Sequence, residues 1–268
     1  MSRHVPLLTR AQHGHIKRLL RECQHRQADG TFVIEGAKAV RELLNRSPSS
    51  VRSIVTTPEY RAQESPSDRR LREAGTWSSY SSSATLFDKV SDLGSPQGVL
   101  AVVSQPRWDE ERILAQPCLL GVFGDRLQDP LNVGGIIRTA AALGVDALWL
   151  TRDSADPFHP KVVRAAAGAL WLLPLFYTDE PSDFLGNGCA LFAAEVPGPG
   201  VTDLADIERV PPRLILALGS EGQGLSAEVQ RLAARRFAIP MHRQMDSLNV
   251  AATMAIATYH FSRLPKES

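Results

Sequence analysis

The chain has 268 residues, long enough for two domains that each bury a core of their own. Hydrophobic residues make up 43% and charged residues 22%, an ordinary balance for a folded protein, so extensive disorder is excluded. There is no run of 18 apolar residues, and residues 1–10 lack the apolar core of a signal peptide. The three cysteines lie far apart, which suits neither a disulfide framework nor a zinc site. These features predict a reduced cytoplasmic protein that does not enter a membrane.

The net charge of +1 is unevenly distributed. Residues 1–104 carry a net charge of +5, and residues 105–268 carry −4. The most basic stretch is the start of the chain, where one acidic residue, Glu22, accompanies the basic residues Arg3, Arg10, Lys17, Arg18, Arg21 and Arg26. A cationic half favours a polyanionic partner such as nucleic acid, but a solvated helix face explains the charge equally well.

Helical and strand patterns alternate through the first half. The predicted helices cover residues 11–27, 37–45 and 58–74, and the predicted strands cover residues 31–35, 51–56 and 97–103. This alternation predicts a small layered α/β domain over residues 1–104. The polar residues 105–116, which include a proline, predict a linker to a second domain over residues 117–268.

The pattern restarts at residue 118. Strands are predicted at residues 118–123, 147–150, 190–194, 214–218 and 237–240, and helices at residues 133–143, 161–170, 226–233 and 247–264. Nearly continuous apolar strands that alternate with helices predict a parallel sheet covered on both faces. Open sheets of this kind bind ligands at the carboxyl ends of their strands, so the loops at those ends are the candidate site.

The first of these loops and the helix after it read GDRLQDPLNVGGIIRTA, residues 124–140. Apolar residues on one stripe predict a buried helix face and leave Arg138 on another face. Gly135 and Gly134 stand three and four residues before Arg138, so we expect its side chain to lie over a surface cleared of side chains. A substrate phosphate or sugar can approach such a surface, although an ordinary surface arginine is the alternative.

The second loop lies within residues 214–226, LILALGSEGQGLS. A strand that runs into three glycines and a helix is typical of a loop whose backbone N–H groups meet a ligand. The glycine order is G-x-x-G-x-G, and no acidic residue ends the next strand, which disfavours a nicotinamide dinucleotide and hence an oxidoreductase. A P-loop is excluded because no Gly-Lys-Ser/Thr occurs.

The third loop lies within residues 239–253, IPMHRQMDSLNVAAT. Asp246 or Ser247 is expected to cap the helix that follows, and Ser247 and Asn249 place a hydroxyl and an amide at its N-terminus. Small residues along this helix allow close packing against another backbone. Taken alone, the segment is better explained as a capped core helix.

Together, N-x5-R, LGSEGxGLS and IPM-x5-SLNV, in this order and at these separations, resemble the three motifs of the SpoU/TrmH family of the SPOUT superfamily. These are RNA 2′-O-ribose methyltransferases that use S-adenosylmethionine. The resemblance implies a trefoil-knotted parallel-sheet methyltransferase domain, a homodimer formed through it, and no metal. The basic first half, with the stretch FVIEGAKAVRELL, looks like the domain resembling ribosomal protein L30e that holds RNA in many members.

The resemblance also implies a substrate and site residues. It favours ribosomal RNA, above all 23S, over transfer RNA, with a catalytically silent RNA-binding protein of the same fold as the remaining alternative. It assigns catalysis to Arg138 and to the polar residues Asn132, Glu221, Ser247 and Asn249. It assigns the cofactor pocket to Leu218, Gly219, Ile239, Met241 and Leu248. The charge pattern adds RNA contacts at Arg10, Lys17, Arg18 and Arg21.

Two arginines need a physical interpretation. Because an arginine side chain stays protonated, it is a poor general base. We therefore expect Arg138 to stabilise a developing alkoxide or to grip a phosphate, with the proton leaving through Glu221 or water. Arg243 stands where family members often have glycine, and its charge would repel the positively charged cofactor. It is therefore predicted to turn outward and contact RNA.

Overall fold

A computed structural model describes residues 5–241 and 247–267. Their contacts divide the chain into two compact units. Unit 1 contains the chain up to Pro106 together with Asp156–Gly168, which we call the inserted segment. Unit 2 contains Arg107–Ala155 and the chain from Ala169 onward.

The described helices are, in chain order, α1 (Arg10–Arg21), α2 (Cys23–Asp29), α3 (Ala37–Arg46), α4 (Pro58–Gln63), α5 (Pro66–Ala74), α6 (Ala84–Val90), α7 (Glu110–Leu114), α8 (Pro130–Ala142), α9 (Pro160–Ala166), α10 (Ser182–Gly186), α11 (Ala227–Leu232) and α12 (Val250–Arg263). The described strands are β1 (Thr31–Glu35), β2 (Val51–Thr56), β3 (Ser78–Ser81), β4 (Val99–Ser104), β5 (Leu119–Asp125), β6 (Ala147–Leu150), β7 (Leu175–Tyr177), β8 (Ala190–Ala194), β9 (Thr202–Asp203), β10 (Arg213–Gly219) and β11 (Arg235–Ala238). Over this described part, none of the helices is long and apolar enough to cross a bilayer.

Unit 1 has a four-stranded sheet in the order β1-β4-β2-β3, in which only β2 and β3 pair in parallel. Two helices predicted as continuous are broken. The first breaks at Glu22, whose φ of −113° and ψ of 112° are extended. The second breaks at Glu64 and Ser65, because Pro66 disfavours helical backbone in the residue before it.

The inserted segment is held in unit 1 by a buried ion pair. Arg26 is 1% exposed, and its Nε and Nη2 donate to the Asp156 carboxylate at 2.7 and 2.6 Å. Its Nη1 donates to the carbonyl oxygen of Leu19 in α1 at 2.7 Å. The Phe158 ring packs against Phe32, with ring centroids 4.9 Å apart. Arg26 is therefore buried in an ion pair. The expectation that the whole basic stretch faces a polyanion is wrong for this residue.

Unit 2 has a seven-stranded sheet in the order β7-β6-β5-β10-β8-β11-β9, with every described pair of strands parallel. On one face, Trp149 and Phe184 pack edge to face in the core. On the other face, Phe192 and Phe237 contact Phe261 of α12. A parallel sheet covered on both faces is thus confirmed, whereas the trefoil knot stays a prediction.

The segment predicted as a linker contributes to unit 2. It contains α7, in which Ile113 is 9% exposed and packs in the core. In the same helix, Glu110 Oε1 accepts a hydrogen bond from Trp149 Nε1 at 2.6 Å. From Arg107 onward these residues are therefore part of the folded unit rather than a bare connection. The predicted domain limits at residues 104 and 117 remain a prediction.

Candidate active site

The loops of the first two motifs begin at the same edge of the unit 2 sheet. Strands β5 and β10 are neighbours, and Asp125 at the end of one is paired with Gly219 at the end of the other. Strand β8 separates β10 from β11, after which the third motif begins. Parallel strands end together, so all three motifs start at the carboxyl edge where open α/β sheets bind ligands.

Polar residues of the three motifs form one chain of hydrogen bonds. Asn249 caps α12, and its Oδ1 accepts the backbone N–H groups of Ala251 at 2.9 Å and Ala252 at 3.3 Å. Because the Asn249 oxygen faces these N–H groups, its Nδ2 points toward Asn132 and donates to Asn132 Oδ1 at 2.8 Å. Asn132 Nδ2 in turn donates to Glu221 Oε1. The structure thus brings together three predicted residues, one from each motif.

This chain fixes the position of a carboxylate. Asn132 is 8% exposed on the inner side of α8, a helix that begins at Pro130 and is capped by Asp129. Glu221 lies on the solvent side of the same hydrogen bond and is exposed. A buried amide therefore holds an exposed carboxylate in place, where it can accept a hydrogen bond or a proton from a substrate hydroxyl.

Arg138 is exposed on α8 and has no hydrogen bond or ion pair with any residue that the structure describes. The surface that Gly134 and Gly135 are expected to clear beneath its side chain stays a prediction. Gly134 is buried, and a Cβ added at Gly135 would lie 3.5 Å from Ala251 Cβ in α12. Gly135 therefore faces α12, at a distance that is an ordinary van der Waals contact. Arg138 is free because it lies on the outward face of α8.

The loop after β10 is tightly folded. A Cβ at Gly219 would lie 2.2 Å from the carbonyl carbon of Gly224, so no other residue fits there without moving the backbone. The Gly224 N–H donates to the Ser220 carbonyl oxygen at 2.9 Å and closes the loop on itself. The backbone N–H of Ser226, which caps α11, donates to buried Asp125 at 2.6 Å. The loop is thus fixed to the end of β5.

The predicted cofactor residues lie along this edge. Leu218 is the penultimate residue of β10 and is only 1% exposed, so it belongs to the core. Ile239 and Met241 follow β11 and are half-buried, while Leu248 is 40% exposed just before α12. Ser247 is exposed beside it. The predicted position of Arg243 lies outside the described residues.

Two residues that sequence reasoning did not single out also lie at this edge. Arg126, directly after β5, donates to Gln223 and to the Gly224 carbonyl oxygen in the loop after β10. Glu195 follows β8, pairs with Arg236 at 3.5 Å, and has a buried Oε1 without a partner in the described chain. No local pattern marks either residue, because each acquires its contacts only when distant strands align.

The residues present fit a cofactor that is cationic and partly apolar. Half-exposed aliphatic side chains suit a flat apolar ring, and the carboxylates of Asp125, Glu195 and Glu221 lie at the ends of neighbouring strands or in the loops after them. Over the described residues, no group of three histidine, cysteine or acidic side chains is arranged to hold a metal ion.

Comparison with known families agrees with this geometry. Residues 120–259 match the SpoU rRNA methylase family, and residues 15–101 match the MRM3-like substrate binding domain. The chain therefore belongs to the SpoU rRNA methylase family, whose members are RNA ribose methyltransferases that use S-adenosylmethionine as methyl donor.

Individual relatives extend the match over nearly the whole chain. An uncharacterised tRNA/rRNA methyltransferase of Synechocystis is 33% identical over 97% of this chain and 94% of its own length. The 23S rRNA (guanosine(2553)-2′-O)-methyltransferase RlmP of Bacillus subtilis is 33% identical over 88% of this chain and 90% of its own. The crystal structure of the SpoU methyltransferase AviRb from Streptomyces viridochromogenes with AdoMet is similar, with a TM-score of 0.79 and 27% identity over 93% of this chain and 96% of that one.

Proposed function

We propose that this protein methylates the 2′-hydroxyl of a ribose in ribosomal RNA, with 23S rRNA as the favoured target. The observation that carries the proposal is the chain of hydrogen bonds from Asn249 through Asn132 to Glu221, together with Arg138 on the outward face of the same helix α8, where it has no partner among the described residues. The name of the B. subtilis relative, which specifies 23S rRNA, supports the choice of substrate.

The proposed mechanism gives Arg138 an electrostatic role. Its guanidinium stays charged and cannot accept a proton, but it can donate hydrogen bonds to a developing alkoxide or to the neighbouring phosphate. Glu221, tethered by Asn132, takes the proton from the hydroxyl directly or through water. Asn249 and Ser247 lie at the start of α12, where they orient the ribose.

The cofactor pocket is proposed to lie between the loops that follow β10 and β11. The backbone at Leu218 and Gly219 and the side chains of Ile239, Met241 and Leu248 would hold S-adenosylmethionine there. The bound cofactor supplies an electrophilic methyl group on a positively charged sulfur.

Unit 1 is proposed to hold the RNA through α1. Arg10, Lys17 and Arg21 are exposed and spaced seven and four residues apart, so they share one face of this helix, with Arg18 beside them. The opposite face buries Ile16, Leu19 and Leu20 in the unit 1 core. Contacts from this face to phosphates would position the RNA without reading its sequence. Arg243 is proposed to add a further contact.

A homodimer through unit 2 is proposed from exposed apolar residues on the same helices as the site. In α12, Ile256 is 43% and Tyr259 56% exposed, and in α8, Leu131 is 61% exposed. Ala252, Ile256, Tyr259 and Arg263 follow one helical stripe. A second copy would remove this stripe from water. Light scattering of Tyr259→Glu tests the proposal, because a charge on the stripe should yield monomers.

Mapping of ribose methylation tests the proposed activity. A 2′-O-methyl group blocks alkaline cleavage of the following phosphodiester, so total RNA from cells with and without the gene shows the modified nucleotide directly. Loss of one 23S rRNA signal, restored by the wild type but not by Arg138→Ala, supports the proposal. Arg152→Ala, which removes an exposed arginine elsewhere in unit 2, is the matched control.

Other outcomes separate the alternatives. A signal lost from transfer RNA identifies transfer RNA as the substrate. RNA binding with no change in methylation identifies a silent RNA-binding protein, a function that would not require Arg138, Asn132 and Asn249 together. A cytoplasmic location is also proposed, and imaging of the tagged protein tests it.

A further inference from the structure

Arg126, the residue after β5, has an unusual backbone conformation. Its φ is 57°, in the left-handed region that residues with a Cβ adopt at a cost, and Ala167 is the only other described non-glycine residue with positive φ. In this conformation the Arg126 N–H donates to Thr151 Oγ1, just after β6, at 2.9 Å. Strained backbone persists only where surrounding contacts hold it, and such positions concentrate at functional sites.

The Arg126 side chain joins the loops that follow β5 and β10. Its Nη1 donates to Gln223 Oε1 at 3.0 Å, and its Nη2 donates to the Gly224 carbonyl oxygen at 3.3 Å. Its Nε donates to Asp125 Oδ1 at 3.1 Å. The rigid fork of the guanidinium lets one side chain reach all three acceptors, which a lysine ammonium cannot reproduce.

Asp125 and Arg126 hold the loop over residues 219–226 at two points. Asp125 accepts the N–H of Ser226 at the end of the loop, while Arg126 binds Gln223 and Gly224 in its middle. Asp125 is 3% exposed, so the contact with Ser226 is partly shielded from water, whereas the contacts of Arg126 with Gln223 and Gly224 are exposed. The shape of this loop therefore depends on two consecutive residues nearly a hundred positions earlier.

We propose that Arg126 is a positioning residue that holds the loop over residues 219–226 in the shape that binds S-adenosylmethionine. The inference rests on the proposed function, in which this loop borders the cofactor pocket. Arg126 acts through Gln223 and the Gly224 carbonyl and does not touch the reacting groups. Its loss frees the loop, which weakens cofactor binding more than it slows methyl transfer at saturating cofactor.

Two substitutions separate the side chain from the strained backbone. Arg126→Ala and Arg126→Gly both remove the guanidinium, but only glycine adopts a positive φ without cost. Both should raise the dissociation constant and the KM for S-adenosylmethionine about tenfold, the effect of one hydrogen bond to a charged group. Both should leave kcat within about twofold. Arg126→Gly should melt at a higher temperature than Arg126→Ala.

Two further variants sharpen the measurement. Arg126→Lys keeps the charge but not the fork, so it should recover only part of the affinity lost in Arg126→Ala. Arg152→Ala removes an arginine that is 74% exposed and paired with Asp179, and it should bind the cofactor like the wild type. Wild-type affinity in both Arg126→Ala and Arg126→Gly overturns the proposal. So does an affinity loss confined to the alanine variant, because backbone strain alone would then explain it.

Hydrogen exchange of the wild type tests the pocket independently. Protection of residues 219–226 when S-adenosylmethionine binds supports the position of the pocket in the proposed function. Protection with unchanged affinity in the Arg126 variants overturns only the role of Arg126. Cofactor binding without protection of this loop overturns the pocket position, and the inference about Arg126 fails with it.

Discussion

The two units use their polar residues in different ways. Unit 2 gathers polar side chains from three loops at one edge of its sheet and connects them by hydrogen bonds, as between Asn132 and Asn249. Unit 1 exposes cations such as Lys17 and Arg21 along one helix, whereas Arg26 makes its polar contacts in the interior. Methyl transfer needs groups at fixed positions, whereas holding a phosphate chain needs only charge at a surface. Substitutions should therefore have different consequences in the two units.

The largest expected effect is on the stability of unit 1. Arg26→Ala leaves the Asp156 carboxylate buried without its partner, and we expect the free energy of unfolding to fall by about 3–5 kcal/mol. Denaturant unfolding followed by circular dichroism measures this loss. Arg164→Ala is the control: its ion pair with Asp92 is 37% exposed on both sides, so it should cost about 1 kcal/mol or less.

A double substitution distinguishes burial of a lone charge from loss of packing. Arg26→Met combined with Asp156→Leu removes both charges, so it should recover most of the stability that Arg26→Ala loses. Equal losses in Arg26→Ala and Arg164→Ala would show that the buried pair is not what holds the inserted segment in unit 1.

Arg138 should show the opposite behaviour, with a large effect on catalysis and little on stability. Its side chain is exposed and has no partner among the described residues, so Arg138→Ala should unfold like the wild type. If the guanidinium stabilises the developing alkoxide, kcat should fall by about 10²–10³-fold. Affinity for S-adenosylmethionine, measured by calorimetry, should stay within about threefold, since the substitution removes a transition-state contact.

Arg138→Lys and Arg152→Ala complete this comparison. Lysine keeps a positive charge but loses the fork, and we expect intermediate turnover. Arg152 is exposed in unit 2 and pairs with Asp179, so its loss should leave kcat unchanged. Near-normal turnover in Arg138→Ala would remove Arg138 from the catalytic site.

The two units also differ in how well their sequences predict the positions of their polar side chains. The strand boundaries at Thr31–Glu35, Val51–Thr56, Ala147–Leu150 and Ala190–Ala194 agree with prediction, because short runs rich in apolar and β-branched residues indicate where a strand lies. In unit 2 the resemblance of three motifs to a known family pointed to Asn132, Glu221 and Asn249, which the structure joins by hydrogen bonds, and their catalytic roles stay a prediction. Their mutual hydrogen bonds, and the contacts of Arg126, join residues about a hundred positions apart, and no local pattern encodes them.

In unit 1 the predicted RNA contacts rested on charge, and charge alone does not distinguish an exposed side chain from a buried one. Arg26 belongs to the same basic stretch as Arg21, yet one side chain is buried against Asp156 and the other is exposed. Its partner lies 130 residues later, within the predicted second domain. Because partners this far apart share no local pattern, the sequence did not predict that the inserted segment belongs to unit 1.

The basic helix should tolerate substitution with smaller effects. Lys17→Ala combined with Arg21→Ala removes two exposed charges, so the slope of log K against log salt for RNA binding should decrease by about two. Filter binding at several salt concentrations measures the slope. Cofactor affinity and the free energy of unfolding should be unchanged, because neither side chain is buried.

A matched pair of lysines on other helices tests whether position matters. Lys38→Ala with Lys89→Ala removes the same charge from exposed sites on α3 and α6 of unit 1. If RNA binds along α1, this control should change the slope by less than one. Equal changes in the two double variants would indicate that RNA responds to the total charge of unit 1 and not to the face of α1.

The smallest expected effect is a pH dependence that belongs to unit 1. Burial lowers the pKa of His13, His15 and His159 below the ordinary value of 6.5, and all three lie in this unit. At pH values between 6.5 and the lowered pKa, these histidines bind more protons in the unfolded chain than in the folded one. Their contribution to stability is therefore full above pH 6.5 and is lost as the pH falls through this window. The melting temperature should fall by less than about 3 °C for each histidine. His15→Gln should reduce this fall between pH 7.5 and 5.5, whatever it does to stability at pH 7.5. An identical pH dependence in His15→Gln and the wild type would mean that His15 takes up no proton on unfolding in this range.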